Sequence, residues 1–255
     1  MKFYQFDEKE KRIDIFNERW YLVDGEPYRN VTTILGIIDK GYAYDEWLKN
    51  VGHNAEIIVD RAGKLGTVVH RLIERTLLGD TIKYSDLDIY EEHIGVAYWE
   101  RYLRWCAFWK DLTSESKVEY KPEGIEFICH SKTYKYAGTV DLVARVNGQL
   151  CIYDWKTGTS LHDENLLQVS AYMKAIEEMF KEDVYAGYLV SIPFERPNKA
   201  GYRVKEVENT GVYFDHFLSA KALHDAFNKE KPKFLSYPME VNLDYIKNES
   251  IIKEK

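Results

Sequence analysis

Two aspartates and a lysine stand on either side of a tight turn in the sequence. Asp141 precedes the dipeptide Asn147–Gly148, and Asp154 and Lys156 follow it. An Asn-Gly pair between two apolar runs predicts a two-residue β-hairpin with a type I′ turn. Carboxylates are ligands for divalent cations, so this hairpin has the side chains to hold a metal ion beside a fixed positive charge.

The predicted turn also fixes which residues face each other. Counting outward from it along both strands brings Asp141 opposite Asp154. Directly opposed residues share a face with Cβ atoms about 4.5–5.5 Å apart, and like charges there are destabilising. We therefore expect a divalent cation between them, with Lys156 on the same face and with Val140 and Trp155 in the core on the other. The alternative is an exposed hairpin with solvated charges, but the apolar strand residues favour burial.

Hydrophobic periodicity predicts the elements that must position this hairpin. The predicted helices are Gly66–Leu78, Tyr90–Leu112, Asp163–Phe180 and Tyr213–Asn228. The predicted strands are Arg19–Val23, Val31–Leu35, Lys117–Ile128, Tyr136–Val146, Gln149–Lys156, Val184–Ile192 and Tyr202–Val207. This order predicts a mixed α/β (α+β) fold in a single domain. We expect N-terminal strands and helices at 1–60, the catalytic core at 61–190 and a C-terminal strand and helix at 191–255.

Composition excludes several classes of protein. The 255 residues carry 35 basic and 42 acidic side chains, a net charge of −7, which excludes nucleic-acid binding by bulk positive charge but not by a local basic channel. Three cysteines without a CxxC pair favour neither a disulfide framework nor a zinc or iron–sulfur cluster. No apolar run approaches the ~18 residues of a membrane span, so we expect a cytoplasmic protein without a membrane partner.

Five ordered motifs give the sequence a family resemblance. They are Gly66-x-x-x-His70, Glu126, Gly138-Thr-Val-Asp141, Asp154-Trp-Lys156 and Gln168-x-x-x-Tyr172. Together they resemble the RecB-like exonuclease branch of the PD-(D/E)xK nucleases, and they are similar to the phage-encoded members and the mitochondrial genome maintenance exonuclease. The resemblance implies a restriction-endonuclease-like core, in which a central mixed β-sheet is flanked by helices.

The resemblance also implies roles for individual residues. The ligands implied for Mg²⁺ or Mn²⁺ are Asp141, Asp154, the Trp155 carbonyl, His70 and Glu126. Glu119 stays open as a rival to Glu126, and an imidazole ligand would favour Mn²⁺ because it is softer than a carboxylate. Lys156 would position or polarise the attacking water and stabilise charge on the phosphate.

A second group of residues would support the site or contact DNA. Its members are Gln168, Tyr172, Glu74, Arg71 and Arg75. Glu74 follows His70 by one helical turn and either orients it or pairs with a neighbouring arginine. Lys132 and Lys135 are further candidates for the DNA path. Aromatic side chains of the predicted 90–112 helix could stack on unpaired bases, although their periodicity favours the core.

These patterns predict a metal-dependent DNA exonuclease from a phage or bacterium, with Asp141, Asp154 and Lys156 as the catalytic residues. The expected partner is DNA that is single-stranded or has an accessible end, and the resemblance implies a product with a 5′-phosphate. A structure-specific or flap endonuclease is the alternative within the class. A catalytically inactive module that binds DNA or a protein is the alternative outside it.

Overall fold

The computed structural model describes residues 11–15, 18–87, 95–158, 160–193, 198–228, 235–236 and 253–254. Its strands are β1 (Lys11–Ile15), β2 (Glu18–Val23), β3 (Glu26–Asn30), β4 (Val118–Glu119), β5 (Ile125–Ser131), β6 (Tyr136–Val146), β7 (Gln149–Lys156), β8 (Ala186–Ser191), β9 (Arg203–Glu206), β10 (Leu235–Ser236) and β11 (Lys253–Glu254). Its α-helices are α1 (Val31–Leu35), α2 (Tyr42–Val51), α3 (Ala55–Leu77), α4 (Gly95–Glu115), α5 (Asp163–Phe180) and α6 (Thr210–Phe227).

Strands β1 to β9 form one mixed sheet. Its main path runs β1-β2-β3-β6-β7-β8-β9, and β4 and β5 also pair with the long strand β6. The β3–β6 and β7–β8 pairs are parallel, whereas the other pairs of this sheet are antiparallel. The site hairpin β6–β7 therefore lies in the middle of the sheet, where both strands have neighbours on either side.

Helices cover both faces of the sheet, which gives two cores. The first core lies between the sheet and helices α1, α5 and α6, and it includes Ile34, Val169 and Phe217. The second lies between the sheet and helices α3 and α4, and it includes Leu72 and Trp105. This arrangement confirms the predicted fold class, a central mixed sheet flanked by helices.

The hairpin was predicted correctly. Asn147 and Gly148 have φ angles of 50° and 85°, as a type I′ turn requires, and both strands have the predicted bounds. The β6–β7 ladder runs from the pair Val146–Gln149 to the pair Leu142–Tyr153. Asp141 and Asp154 occupy the first position beyond this ladder, where the strands cease to be paired.

Strands β5 and β6 change face together next to this point. Ile125 and Leu142 pack in the α3–α4 core, whereas Phe127 and Val140 pack in the α5–α6 core. Because residues two apart on a regular strand share a face, both strands must be irregular in between. Trp155 packs in the α3–α4 core, so the expectation that Val140 and Trp155 share a face is wrong, although both are buried.

Another prediction fails at the start of the chain. Residues Val31–Leu35 were expected to form a strand, but they form helix α1. Val31, Ile34 and Leu35 are buried in the α5–α6 core, and their spacing of three and four residues is that of one helical face. Tertiary packing therefore overrides the β propensity of a Val-Thr-Thr-Ile run.

The aromatic side chains of α4 are in the core, as their periodicity favoured. Tyr98, Tyr102, Trp105 and Phe108 are all buried against the sheet. The predicted start of this helix at Tyr90 lies outside the described residues, and α4 is described from Gly95. None of the helices in the described parts of the chain has the length and hydropathy needed to cross a bilayer.

Candidate active site

Glu126 and Asp141 lie at an interruption in the β5–β6 ladder. The register has pairs on both sides of them, but these two residues are skipped. Glu126 has a φ of 49°, the left-handed conformation, which costs a non-glycine residue on the order of 1–3 kcal/mol. Two adjacent strands thus carry a local distortion at their acidic residues, and both side chains line one cleft.

Both oxygens of the Asp141 carboxylate are engaged. Oδ2 accepts a hydrogen bond from the backbone N–H of Trp155 at 2.6 Å, and Oδ1 lies 3.1 Å from Nδ1 of His70. The carboxylate therefore satisfies a backbone donor of β7 at the point where the β6–β7 ladder ends. Because Asp141 is only 7% exposed, this bond fixes its position in the floor of the cleft.

His70 comes from helix α3. Val69, Leu72 and Ile73 bury one side of this helix in the core and direct His70 towards Asp141 on β6. Its Nδ1 lies 3.9 Å from Glu126 Oε1, in addition to the contact with Asp141. The motif Gly66-x-x-x-His70 thus lies on one helix, and both of its ends line the cleft.

The charges in this group are strongly interdependent. Burial lowers the pKa of His70, but the Asp141 carboxylate, its hydrogen bond and Glu126 together raise that pKa to about 10. Burial raises the pKa of Asp141; the His70 imidazolium opposes this shift and the nearby Asp154 carboxylate adds to it. Without a metal ion, a proton on His70 therefore balances part of the acidic charge.

His70, Glu126 and Asp141 are close enough to share one ion. Each offers a ligand atom, and these atoms all lie within 4.8 Å of one another. Two ligands of an octahedral ion at about 2.1 Å are about 3.0 Å apart when adjacent and about 4.2 Å apart when opposite, so the three side chains must draw closer together to bind one ion. The carboxylate ligands suit Mg²⁺ or Mn²⁺, and the softer imidazole favours Mn²⁺ of the two.

Asp154 lies beside this group on β7. Its Oδ2 is 2.6 Å from Nζ of Lys156, but the buried oxygen makes no hydrogen bond within the described residues. The contact is therefore an ion pair without hydrogen-bond geometry. A buried carboxylate oxygen that lacks a hydrogen bond is available to a cation, so the residues present fit a divalent ion.

Lys156 is held by a short chain of hydrogen bonds. Its Nζ donates to Gln168 Oε1 at 2.9 Å, and Gln168 Nε2 donates to the Tyr172 hydroxyl at 2.8 Å. Gln168 and Tyr172 lie one turn apart on α5 and are both buried. A Cβ at Gly138 would lie 2.3 Å from Cε1 of Tyr172, so the glycine leaves room for the ring.

The other predicted residues differ in where they lie. Arg71 and Glu74 line the cleft, and burial and the Glu126 carboxylate raise the pKa of Glu74. Arg75 does not line it, and instead pairs with Asp80 at 2.9 Å and with Asp86 at 3.4 Å.

Two further predicted positions, Glu119 and the Trp155 carbonyl, belong to residues whose side chains lie outside the cleft. Glu119 is outside the cleft and lies 3.0 Å from Lys117. Trp155 reaches Asp141 through its backbone N–H, and its ring is in the core.

Lys132 and Lys135 are away from the cleft. Lys132 pairs with Asp24 at 2.6 Å, and Lys135 pairs with Glu26 at 2.8 Å. Asp24 lies in the β2–β3 turn and Glu26 begins β3, so the two lysines tie this turn to the β5–β6 connection.

Sequence reasoning missed several residues of the cleft, whose volume is about 520 Å³. The missed residues are Arg12, Arg19, Thr32, Thr67 and Thr139. Thr139 belongs to the Gly138-Thr-Val-Asp141 motif, so its spacing to Asp141 was a usable signal. Arg12 and Arg19 gave none, because nothing in the sequence places the first hairpin beside β6.

Comparison with known protein families shows the family to which this chain belongs. The family model described as the PD-(D/E)XK nuclease superfamily matches residues 42–231, about three quarters of the chain. The chain belongs to the PD-(D/E)XK nuclease superfamily. The matched range of this nuclease includes His70, Glu126, Asp141 and Asp154. It also includes the hydrogen-bonded residues Lys156, Gln168 and Tyr172.

The solved structures that match this nuclease have low sequence identity to it and low TM-scores. The protein SSO0001 is 16% identical, with coverage of 66% of this nuclease and 75% of that chain, and a TM-score of 0.32. An alkaline exonuclease from Laribacter hongkongensis is 11% identical, with coverage of 79% and 91% and a TM-score of 0.33. Among curated protein sequences, none matches this nuclease.

Proposed function

We propose that this nuclease is a metal-dependent deoxyribonuclease that acts as an exonuclease on DNA with an accessible end. The observation that carries the proposal is the juxtaposition of two groups in one cleft. His70, Glu126 and Asp141 offer ligand atoms to one ion, and Lys156 presents its ammonium beside Asp154. This pairing of a metal site with a fixed cation suits the hydrolysis of a phosphodiester bond.

The side chains of the cleft have different roles in the proposed reaction. A divalent cation held by His70, Glu126 and Asp141 would supply a Lewis acid that polarises the phosphate and would make water a better nucleophile at neutral pH. Asp154 holds the Lys156 side chain in place through their ion pair, and Gln168 restricts its direction through a hydrogen bond. Lys156 stabilises the charge that develops on the phosphate, and it does so without reorganising because its partners already hold it.

The preference for DNA and for strand ends is supported by the motifs, which resemble those of the RecB-like exonuclease branch. The matching positions are Gly66-x-x-x-His70, Glu126, Asp141, Asp154-Trp-Lys156 and Gln168-x-x-x-Tyr172. All of them except the Trp155 ring, which is in the core, line or directly support the same cleft. A site assembled from every part of the motif supports an active enzyme rather than a binding module.

Digestion of end-labelled DNA tests the proposal. Purified protein is incubated with single-stranded, blunt and tailed duplex DNA in Mg²⁺ or Mn²⁺, with 5′ label in one series and 3′ label in another. We expect mononucleotide-sized product from one labelled end at the earliest times. We expect Asp141→Asn to lower the rate by about 10²–10³-fold or more. Asp183→Asn, which removes an exposed carboxylate before β8, is the matched control and should digest normally.

Two results would contradict the proposal. Internal fragments as the first products would favour a flap or structure-specific endonuclease. Absence of digestion in every metal, or equal digestion by wild type and Asp141→Asn, would favour a module that binds without cutting.

A further inference from the structure

Several acidic side chains line the wall of the cleft. Among the described residues that line it, four are carboxylates: Glu74, Glu126, Asp141 and Asp154. A strand of DNA is a polyanion, so its approach to this floor requires compensating positive charge close by. The protein as a whole cannot provide it, because its net charge is −7.

Two of the three arginines that line the cleft come from the N-terminal hairpin β1–β2. They are Arg12 on β1 and Arg19 on β2, and the third is Arg71 on α3. Lys156 also lines the cleft, where its ammonium contacts Asp154 and Gln168. Without the hairpin, the wall would retain one arginine besides this lysine.

Strand pairing puts the two hairpin arginines on one face. Arg12 is opposite Tyr21 in the β1–β2 ladder, and Arg19 is two residues before Tyr21 on the same strand. Opposed residues and residues two apart share a face of a sheet. The alternate face of β2 has a structural role, because Trp20 stacks beneath the guanidinium of Arg29 at 3.8 Å.

A hydrogen bond connects this face of the hairpin to strand β6. The Tyr21 hydroxyl is 2.7 Å from Oγ1 of Thr139, and Tyr21 is fully buried. Thr139 precedes Asp141 by two residues on β6, a separation of about 7 Å along a strand.

We propose that the N-terminal hairpin is the strand-holding element of this nuclease, in which Arg12 and Arg19 bind backbone phosphates next to the scissile one. This inference rests on the proposed function, since its ligand is the phosphodiester backbone of the DNA substrate. The hairpin lies before residue 42, where the match to the nuclease family begins. The hairpin therefore lies outside the part of the chain that the family model matches.

The test compares Arg12→Gln/Arg19→Gln with wild type in steady-state digestion from 50 to 200 mM salt. Neutralising one phosphate on a single strand contributes a slope of about −0.7 in log affinity against log salt. The double variant should lose about 1.4 from that slope. At about 0.1 M salt, KM should rise roughly fivefold per arginine and roughly 25-fold for both, while kcat changes little.

Two further variants separate binding from folding. Arg12→Lys/Arg19→Lys keeps both charges and should keep the wild-type slope, because the slope counts charge rather than hydrogen-bond geometry. Lys205→Gln removes a charge from the exposed strand β9 at the opposite edge of the sheet and should behave as wild type. A slope lowered in the Gln variant and restored in the Lys variant is a result that loss of folding does not produce.

The outcomes are distinguishable from failure of the proposed function. If wild type digests no DNA, the proposed function itself is wrong, and this inference is wrong with it. If wild type digests DNA and the Gln double variant keeps its KM and salt slope, only the hairpin inference is wrong. A fall in kcat with an unchanged slope would equally overturn it, because that pattern indicates a structural role.

Discussion

His70 makes metal binding depend on pH in a direction that the structure predicts. Its pKa is raised to about 10 because the Asp141 and Glu126 carboxylates outweigh the effect of burial. An imidazole nitrogen binds a metal ion only after it has lost its proton. At neutral pH the ion must therefore displace a proton from His70, and its affinity should rise as pH rises.

The magnitude follows from that single proton. Well below a pKa of about 10, each pH unit raises the apparent metal affinity by about tenfold, or about 1.4 kcal/mol. From pH 7.0 to pH 8.5 the affinity for Mn²⁺ should rise by roughly 30-fold. His70→Gln keeps a side chain of similar reach but holds no proton, so its affinity should be nearly independent of pH over this range.

The sign for the stability of the metal-free protein is opposite. Because the folded-state pKa of His70 lies above the unfolded value of about 6.5, the contribution of this group is fully present below pH 6.5. It is lost as pH rises towards about 10. Metal-free wild type should therefore lose more stability than His70→Gln between pH 7 and pH 9, and Mn²⁺ should offset the loss.

Isothermal titration calorimetry measures the displaced proton directly. Mn²⁺ is titrated at pH 7.5 in two buffers with different ionisation enthalpies, and the difference in apparent enthalpy gives the number of protons released. We expect about one for wild type and about zero for His70→Gln. His53→Gln, which removes an exposed imidazole before α3, is the matched control and should also release about one. Release of no proton by wild type, or of one by His70→Gln, would refute the reasoning.

Three other perturbations have defined outcomes. Lys156→Met should lower kcat by about 10²–10³-fold in the digestion assay, because the ammonium stabilises the charge that develops on the phosphate. The affinity for Mn²⁺ should stay within a few fold of wild type, because the ammonium does not bind the ion. An unchanged kcat would contradict this role. Gly138→Ala should lower the free energy of unfolding by about 1–3 kcal/mol in urea titrations, because its Cβ would overlap the Tyr172 ring, and Tyr172→Ala should relieve part of that loss. At 100 times its dissociation constant, Mn²⁺ should raise the free energy of unfolding of wild type by about 2.7 kcal/mol, and a chelator should reverse this increase. Glu126→Gln should reduce the increase. An equal increase in both proteins would contradict a role for Glu126 as ligand.

The hairpin and its register could be predicted because the deciding interactions are local. A two-residue turn at Asn147–Gly148 allows one alignment of its strands, and that alignment holds as far as the pair Leu142–Tyr153. The bounds of α5 were also predicted correctly, since its apolar stripe is regular and ends with the helix at Phe180. Local chemistry and periodicity were sufficient for these elements.

The geometry beyond the ladder could not be predicted. It depends on the left-handed backbone of Glu126 and on the change of face in β5 and β6, and neither follows from the local sequence. The sequence suggested that Asp141 and Asp154 would face each other across an ion. In the structure, Asp141 contacts His70 at 3.1 Å and forms a candidate ion site with His70 and Glu126, and Asp154 pairs with Lys156.

Residues that are distant in sequence were the hardest to place. His70 was identified only through its motif, because one helical histidine beside an apolar stripe has no distinctive spacing. Arg12 and Arg19 line the cleft because strand β3 pairs with both β2 and β6 and so places the first hairpin beside β6. The helical conformation of Val31–Leu35 likewise depends on its contacts with α5 and α6, which sequence periodicity does not reveal.

The position of the metal ion is the most direct test of the central claim. Crystals of the wild-type protein grown with Mn²⁺ and measured for anomalous scattering should show a peak about 2.0–2.3 Å from Nδ1 of His70 and from carboxylate oxygens of Glu126 and Asp141. The same experiment on Asp141→Asn should show a weaker peak or none. A manganese peak elsewhere, with these three side chains uncoordinated, would contradict the account.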